Sequence, residues 1–136
     1  MILYCDTSAL IKLLVREPGS DRMHQASSEA EAIGVCRITW AEAMAAMARR
    51  QREDPASSTD LEQARQLLNR TWAQFVIVAT SQRLVEAAGR YADAFALRGY
   101  DSVQLAAAHE LNLSTDLPIT FASFDRRLNL AAQLLQ

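Results

Sequence analysis

Four carboxylates stand at unusual places in this 136-residue chain. Asp6 ends the apolar run "MILYC", and Asp125 follows the apolar run "LPITFASF". Glu42 falls in the first turn of the helical stretch "TWAEAMAAMARR", and Asp101 leads into the nearly all-apolar "VQLAAA". The rest of the sixteen acidic residues fall mostly in polar helix faces and loops, such as Glu53-Asp54 and Glu29–Glu31. Four carboxylates brought together would repel one another strongly unless protonated or neutralised by cations. Hard, oxygen-seeking Mg²⁺ or Mn²⁺ is the natural neutraliser. There is no P-loop, GxGxxG, HExxH or CxxC motif. The two histidines, His24 in a polar stretch and His109 in "AAAHEL", have no Ser or Cys motif nearby and fit surface or packing roles. With no His-based acid–base system visible, metal-activated water is the remaining route to hydrolysis.

Each carboxylate also has an ordinary explanation. Asp6 and Asp101 fit helix N-caps, each worth about 1 kcal/mol. Glu42 completes a capping box with Thr39, and Asp125 favours the dipole of its helix. For any one of them alone the ordinary explanation is preferred. Their common placement weakens it.

That placement follows from the order of elements. "ILYC" reads as a short buried strand, followed by a helix over "SALIKLLVRE" that "EPGS" breaks. A polar helix over about Asp21–Glu31 leads to a second strand, "AIGVC", and then to the helix capped by Thr39. "DPASSTD" breaks the chain again, and Leu61, Ala64, Leu68, Trp72 and Phe75 recur at helical spacing. "FVIVAT" is a third strand. Ser81 starts a helix ending near Gly99, Asp101 opens another, "LPITFASF" is a fourth strand, and Asp125 starts the last helix. Short apolar strands alternating with helices predict an α/β sandwich around a mostly parallel sheet. Functional groups in such sheets gather beyond the carboxyl ends of the strands. Asp6, Glu42 and Asp125 lie at such strand-to-helix edges.

The chain is most simply one domain, residues 1–136, long enough to bury a core without disulfides or metal staples. Half its residues are hydrophobic, which argues for a compact globular chain over a disordered one. No apolar run reaches the roughly 18 residues of a membrane span, and nothing marks the start as a signal peptide. Cys5 and Cys36 sit in apolar runs and are expected to be buried free thiols in a reducing cytoplasm. The net charge of -2 gives no global sign of nucleic-acid binding. Thirteen of the fourteen basic residues are arginine, clustered at Arg49, Arg50, Arg52 and at Arg126, Arg127, where a solvated helix face is the default reading.

At these residues the sequence resembles the PIN-domain family and, within it, the VapC toxins of toxin–antitoxin pairs. The segments "LYCDTSALIKLLVREPGS", "TWAEAMAAMARR", "LRGYDSVQLAAA" and "ITFASFDRRLNLAA" carry the likeness, in the family's order and approximate spacing. The resemblance implies a PIN-like three-layer α/β/α sandwich. It implies metal-binding, catalytic carboxylates at Asp6, Glu42, Asp101 and Asp125, with supporting hydroxyls at Ser8 and Ser123. It further implies Mg²⁺- or Mn²⁺-dependent cleavage of RNA phosphodiesters, a cognate VapB-like antitoxin and a homodimer. PIN chains often run from the last helix into a short final strand, whereas this sequence ends at "AAQLLQ", so four to five strands are expected.

Three other functions compete. A phosphatase of the haloacid-dehalogenase type also has an aspartate after its first strand, but needs a second acid where Ser8 stands. A PIN nuclease of RNA processing and a non-catalytic PIN module binding RNA or a protein partner share the resemblance; small size favours the toxin, and four retained carboxylates disfavour the non-catalytic module. Arg49, seven residues after Glu42 and so about 10 Å along nearly the same helix face, reads equally well as a phosphate or antitoxin contact and as a surface arginine. Trp40, Met44 and Met47 form a stripe that reads as core or dimer interface. Leu61, Leu68 and Trp72 share that ambiguity, with an antitoxin groove as the sharper alternative.

Overall fold

The apolar run Ile2–Cys5 forms a strand, β1, with all four residues buried. Alternate side chains of a strand point to opposite faces, so one tetrapeptide seeds two cores. Leu3 and Cys5 pack into one cluster, Ile2 and Tyr4 into the other. The computed structural model describes residues 1–135. After β1 come α1 (Thr7–Leu14), α2 (Ser20–Glu29), β2 (Ala32–Cys36), α3 (Thr39–Glu53), α4 (Ser58–Thr71), β3 (Val76–Val78), α5 (Gln82–Phe95), α6 (Gly99–Ser114), β4 (Ile119–Ala122) and α7 (Arg126–Leu135). Short 3-10 turns cover Pro55–Ser57 and Trp72–Gln74.

The four strands form one sheet in the order β3-β2-β1-β4, and every pairing is parallel. Residues of α1 to α4 meet Leu3, Cys5 and Val35 on one face. Residues of α5 and α6 meet Ile2, Tyr4, Cys36 and Val78 on the other, and α7 seats Leu128 and Ala131 beside Leu97 and Leu105 of the α5–α6 segment. The expected three-layer α/β/α architecture is therefore present, with four strands. Consecutive strands step outward from β1 to β3, and the chain then crosses back to place β4 on the far side of β1. The order reverses between β1 and β4, the place where open parallel sheets bind ligands.

Two glycines permit close approaches that matter here. A Cβ on Gly34 would stand 2.7 Å from Leu111 Cδ2, so glycine lets α6 lie close over β2. Gly19 has φ +96°, and a Cβ there would stand 2.9 Å from both Lys12 Cδ and Phe124 Cε1. It precedes α2 and lets the α1–α2 turn close over the segment after β4.

Local expectations fail where tertiary contacts outrank local ones. Helix α1 ends at Leu14, short of the expected Glu17, because Glu17 turns inward to pair with Lys12 Nζ at 3.0 Å and Arg50 Nη1 at 2.6 Å. Thr39 and Glu42 make no capping box. Ile38 occupies the cap position, Thr39 is buried, and both side chains face α6. Gly99 begins α6 and does not end α5, which stops at Ala96 in a left-handed conformation. Trp72 begins a 3-10 turn and Phe75 caps its end, the two rings meeting edge to face.

The hydrophobic stripes resolve as core. Met47, Leu61 and Leu68 are buried in the cluster under α1, with Trp40, Met44 and Trp72 packed against it. Leu61 and Leu68 thus belong to the core, while Trp40, Met44 and Trp72 keep part of their surface exposed. Cys5 and Cys36 are buried free thiols, and burial together with the nearby Asp6 pushes the Cys5 thiol up to about 12, leaving it unreactive. Among the described residues no helix is long and apolar enough to cross a membrane.

Candidate functional site

Asp6 lies where β1 hands over to α1 and does two things at once. It is the N-cap of α1, its Oδ1 accepting the Ala9 N–H at 2.9 Å. The same carboxylate accepts the Ser8 hydroxyl on Oδ1 at 2.7 Å and the Ser123 hydroxyl on Oδ2 at 2.5 Å. Ser8 Oγ in turn accepts the Phe124 N–H, tying the end of β4 to this corner, and Ser123 Oγ accepts the Asp125 N–H within the turn after β4. Burial pushes the Asp6 carboxyl above its ordinary range, the Ser123, Ser8 and Ala9 donors pull it down, and Asp125 pushes it up again. The structure thus places both expected hydroxyls, Ser8 and Ser123, on Asp6.

Asp125 caps α7, its Oδ1 accepting the Leu128 N–H at 2.9 Å. Asp101 sits in the first turn of α6 and caps nothing, since Arg98 holds the cap position without a side-chain bond. Burial raises the Asp101 carboxyl, Asp125 and Asp6 raise it further, and Arg98 and Arg127 oppose them. Glu42 projects from the first turn of α3, and its Oε1 accepts Thr7 Oγ1 at 2.8 Å and Gln104 Nε2 at 2.7 Å. Burial raises the Glu42 carboxyl, those two donors lower it, and Asp101 and Asp6 raise it.

Glu42, Asp101 and Asp125 line one cavity of about 740 Å³ with Arg98, Tyr100 and the apolar face of α5, within the 300–1,000 Å³ usual for a ligand site. Asp6, buried at the end of β1, lies within electrostatic reach of all three. The structure therefore brings together all four carboxylates singled out in the sequence. Arg49 is not among them; it pairs with Glu53 at 3.0 Å on the exposed side of α3. His24 is exposed, and His109 stands edge-on to Tyr91 away from the site.

Sequence reasoning missed the residues that hold Glu42. Gln104 is buried and bonds Tyr4, Thr39 and Glu42. A lone glutamine inside the apolar stretch "VQLAAA" was the available signal, because a buried amide needs partners. Arg98, isolated in sequence, gave no such signal, and Arg127, read with Arg126 as part of a solvated helix face, also biases Asp101.

The donor set is entirely oxygen and carries mutual repulsion, which suits a hard divalent cation. Among the described residues, no three His, Cys, Asp or Glu side chains stand close enough to enclose an ion by themselves. A cation keeping much of its water and touching one or two carboxylates, the usual habit of Mg²⁺, fits this spacing.

The model of the PIN domain family matches residues 3–134. Two Mycobacterium tuberculosis proteins, Ribonuclease VapC45 and Ribonuclease VapC49, are each 32% identical to this chain over 131 residues, 96% of this chain and 89% of theirs. Among solved structures, PAE2754 from Pyrobaculum aerophilum superposes with a TM-score of 0.58 at 20% identity, covering 99% of this chain and 96% of that one. VapBC2 from Rickettsia felis, bound to a DNA fragment from its promoter, superposes with a TM-score of 0.57 at 14% identity, covering 90% of this chain and all of that one. At those identities the superpositions speak for the fold alone, but the family match spans nearly the whole sequence, and this chain belongs to the PIN-domain family.

Proposed function

We propose that this chain, acting as one domain in the cytoplasm, is a Mg²⁺- or Mn²⁺-dependent endoribonuclease and the toxin of a type II toxin–antitoxin pair. The observation that carries this reading is the meeting of Asp6, Glu42, Asp101 and Asp125 at the carboxyl ends of β1 and β4. A divalent ion held there would supply Lewis acidity toward a phosphodiester and would acidify a water. Asp101 and Glu42, which line the cavity, would hold that ion directly or through water. Asp6, held by three hydrogen bonds, fixes the position of the charge, and Asp125 completes the set. Arg98 and Arg127 moderate the negative field around Asp101 and suit a substrate phosphate. Ser8 and Ser123 both spend their hydroxyl hydrogens on Asp6, so they serve as supports for that carboxylate, with no covalent intermediate on the protein.

The relatives named as VapC ribonucleases support RNA as the substrate, and the VapBC2 assembly supports an antitoxin partner. A homodimer belongs to the same proposal. The test is cleavage of a generic RNA by the purified chain with Mg²⁺ or Mn²⁺, against the same reaction in EDTA. Metal-dependent cleavage that a co-purified antitoxin suppresses is the expected result. Metal binding without cleavage would replace the nuclease by a non-catalytic RNA- or protein-binding module.

A further inference from the structure

The acidic site rests on a buried polar chain that crosses four elements. Tyr4 of β1 places its hydroxyl 2.7 Å from Gln104 Oε1. Gln104 of α6 points its Nε2 at Glu42 Oε1, 2.7 Å away on α3, and at Thr39 Oγ1, 2.8 Å away. Thr7 of α1 donates its hydroxyl to the same Glu42 Oε1 at 2.8 Å, and its oxygen lies 3.4 Å from Gln104 Nε2. Tyr4 and Gln104 are both buried.

Hydrogen counting fixes the direction of this chain. An ionised Glu42 only accepts, so the Gln104 group facing it must be the NH₂. The Gln104 carbonyl is then left toward Tyr4, which must donate. A flipped amide would set two oxygens against each other at the Glu42 end and leave Thr39 without its donor. The Tyr4 hydroxyl is thus the lock on the amide's orientation. Glu42 Oε1 receives two protein hydrogens, from Thr7 and Gln104, and among the described residues Oε2 receives none.

We infer that Gln104, oriented by Tyr4 and aided by Thr7, is a positioning residue that occupies Glu42 Oε1 and leaves Oε2 alone to face a cation, making Glu42 a one-oxygen ligand. The inference rests on the metal-site reading above. Gln104 touches neither cation nor substrate, and its effect passes through Glu42. Supporting bonds behind a metal ligand typically change affinity by about 10–100-fold when removed.

The test is Mn²⁺ affinity by titration calorimetry on the full chain, for wild type, Gln104→Met, Tyr4→Phe, Thr7→Val, Thr7→Ser and Asp101→Asn, with folding checked by circular dichroism. Gln104→Met and Thr7→Val are expected to weaken Mn²⁺ binding about 10-fold or more, Tyr4→Phe by less, and Thr7→Ser, which keeps the hydroxyl, hardly at all. If Gln104→Met does not fold, Tyr4→Phe and Thr7→Val decide. Wild-type affinity in both of those variants, with binding lost in Asp101→Asn, overturns this inference and leaves the metal site standing. If the wild type itself takes up no Mn²⁺, the metal-site reading and this inference fall together.

Discussion

Ser123 and Asp6, 117 positions apart in sequence, are joined by a hydroxyl-to-Oδ2 hydrogen bond of 2.5 Å. It is a bond to a buried carboxylate, of the short kind expected when the acceptor is charged. It also joins the carboxyl ends of β1 and β4, the two strands between which the sheet order reverses. Ser123 is one of the donors that hold the Asp6 carboxyl down against burial. In Ser123→Ala that restraint is gone and Asp6 protonates more readily. The acid limb of the cleavage pH profile should move to higher pH, with a loss of about tenfold near neutrality, as for a hydrogen bond to a charged group. A pH–rate series on both proteins checks this, and an unmoved acid limb would disconnect Ser123 from the chemistry.

Asp101 offers a cleaner separation of activity from stability. It caps no helix, and its neighbours Asp125 and Asp6 repel it. Asp101→Asn should cut cleavage on the order of 100-fold or more, beyond the cost of losing a supporting bond, while the metal-free protein melts no lower than wild type. Cleavage at the wild-type rate by this variant would remove Asp101 from the site.

The acidic cluster also sets a pH dependence of folding. Asp6, Glu42 and Asp101 all have folded-state pKa values raised above their unfolded ones. The folded chain then holds more protons than the unfolded chain as pH climbs through the carboxylate range, so stability falls with rising pH across that window. Glu17 and Asp21, whose carboxyls are lowered by Arg50 and Lys12 and by Arg16, act in the opposite sense. The informative quantity is therefore a difference. In EDTA, the Tm of Asp101→Asn minus that of wild type should grow as pH rises from the acid range to neutrality, and saturating Mg²⁺ should shrink it by stabilising wild type. A difference independent of pH would contradict the raised Asp101 carboxyl.

Gly19 should tolerate no side chain. Its φ of +96° is unfavourable for alanine, and the new Cβ would press on Lys12 and Phe124. Gly19→Ala is expected to cost about 1–3 kcal/mol in a denaturant titration. The displaced Phe124, whose N–H bonds Ser8 Oγ, should also reduce cleavage.

Arg49 supplies a negative control. Its pair with Glu53 is exposed on both sides, and such pairs contribute little. Arg49→Ala should change stability by less than about 0.5 kcal/mol and leave the cleavage rate unchanged. A marked loss of RNA affinity would instead make Arg49 a substrate contact.

The strands and the edge placement of Asp6, Glu42 and Asp125 were legible because each depends on local pattern. "ILYC" and "AIGVC" are apolar runs of strand length whose observed bounds agree with the reading, and the acids beyond such runs fall at the sheet edge by geometry. What escaped was decided by distant neighbours. Thr39 and Glu42 match a capping box in every local respect, yet Gln104 on another helix claims both side chains. Glu17 reads as a helix end until Arg50 arrives from α3. Asp6 shows the two levels coexisting: the cap inferred from "CDTSA" is present, and its carboxylate also meets Ser123.

The position of β4, last in sequence but paired directly to the first strand, carries a consequence for synthesis. In a growing chain Asp6 follows β1, whereas Ser123 and Asp125 follow β4 and are added after every other described element but α7. Until that segment leaves the ribosome and docks, the acidic cluster lacks one carboxylate and the Asp6 carboxylate lacks one of its three donors. Pairing of β4 with β1 is thus the folding step that completes the cluster, since it alone brings Ser123 and Asp125 to Asp6.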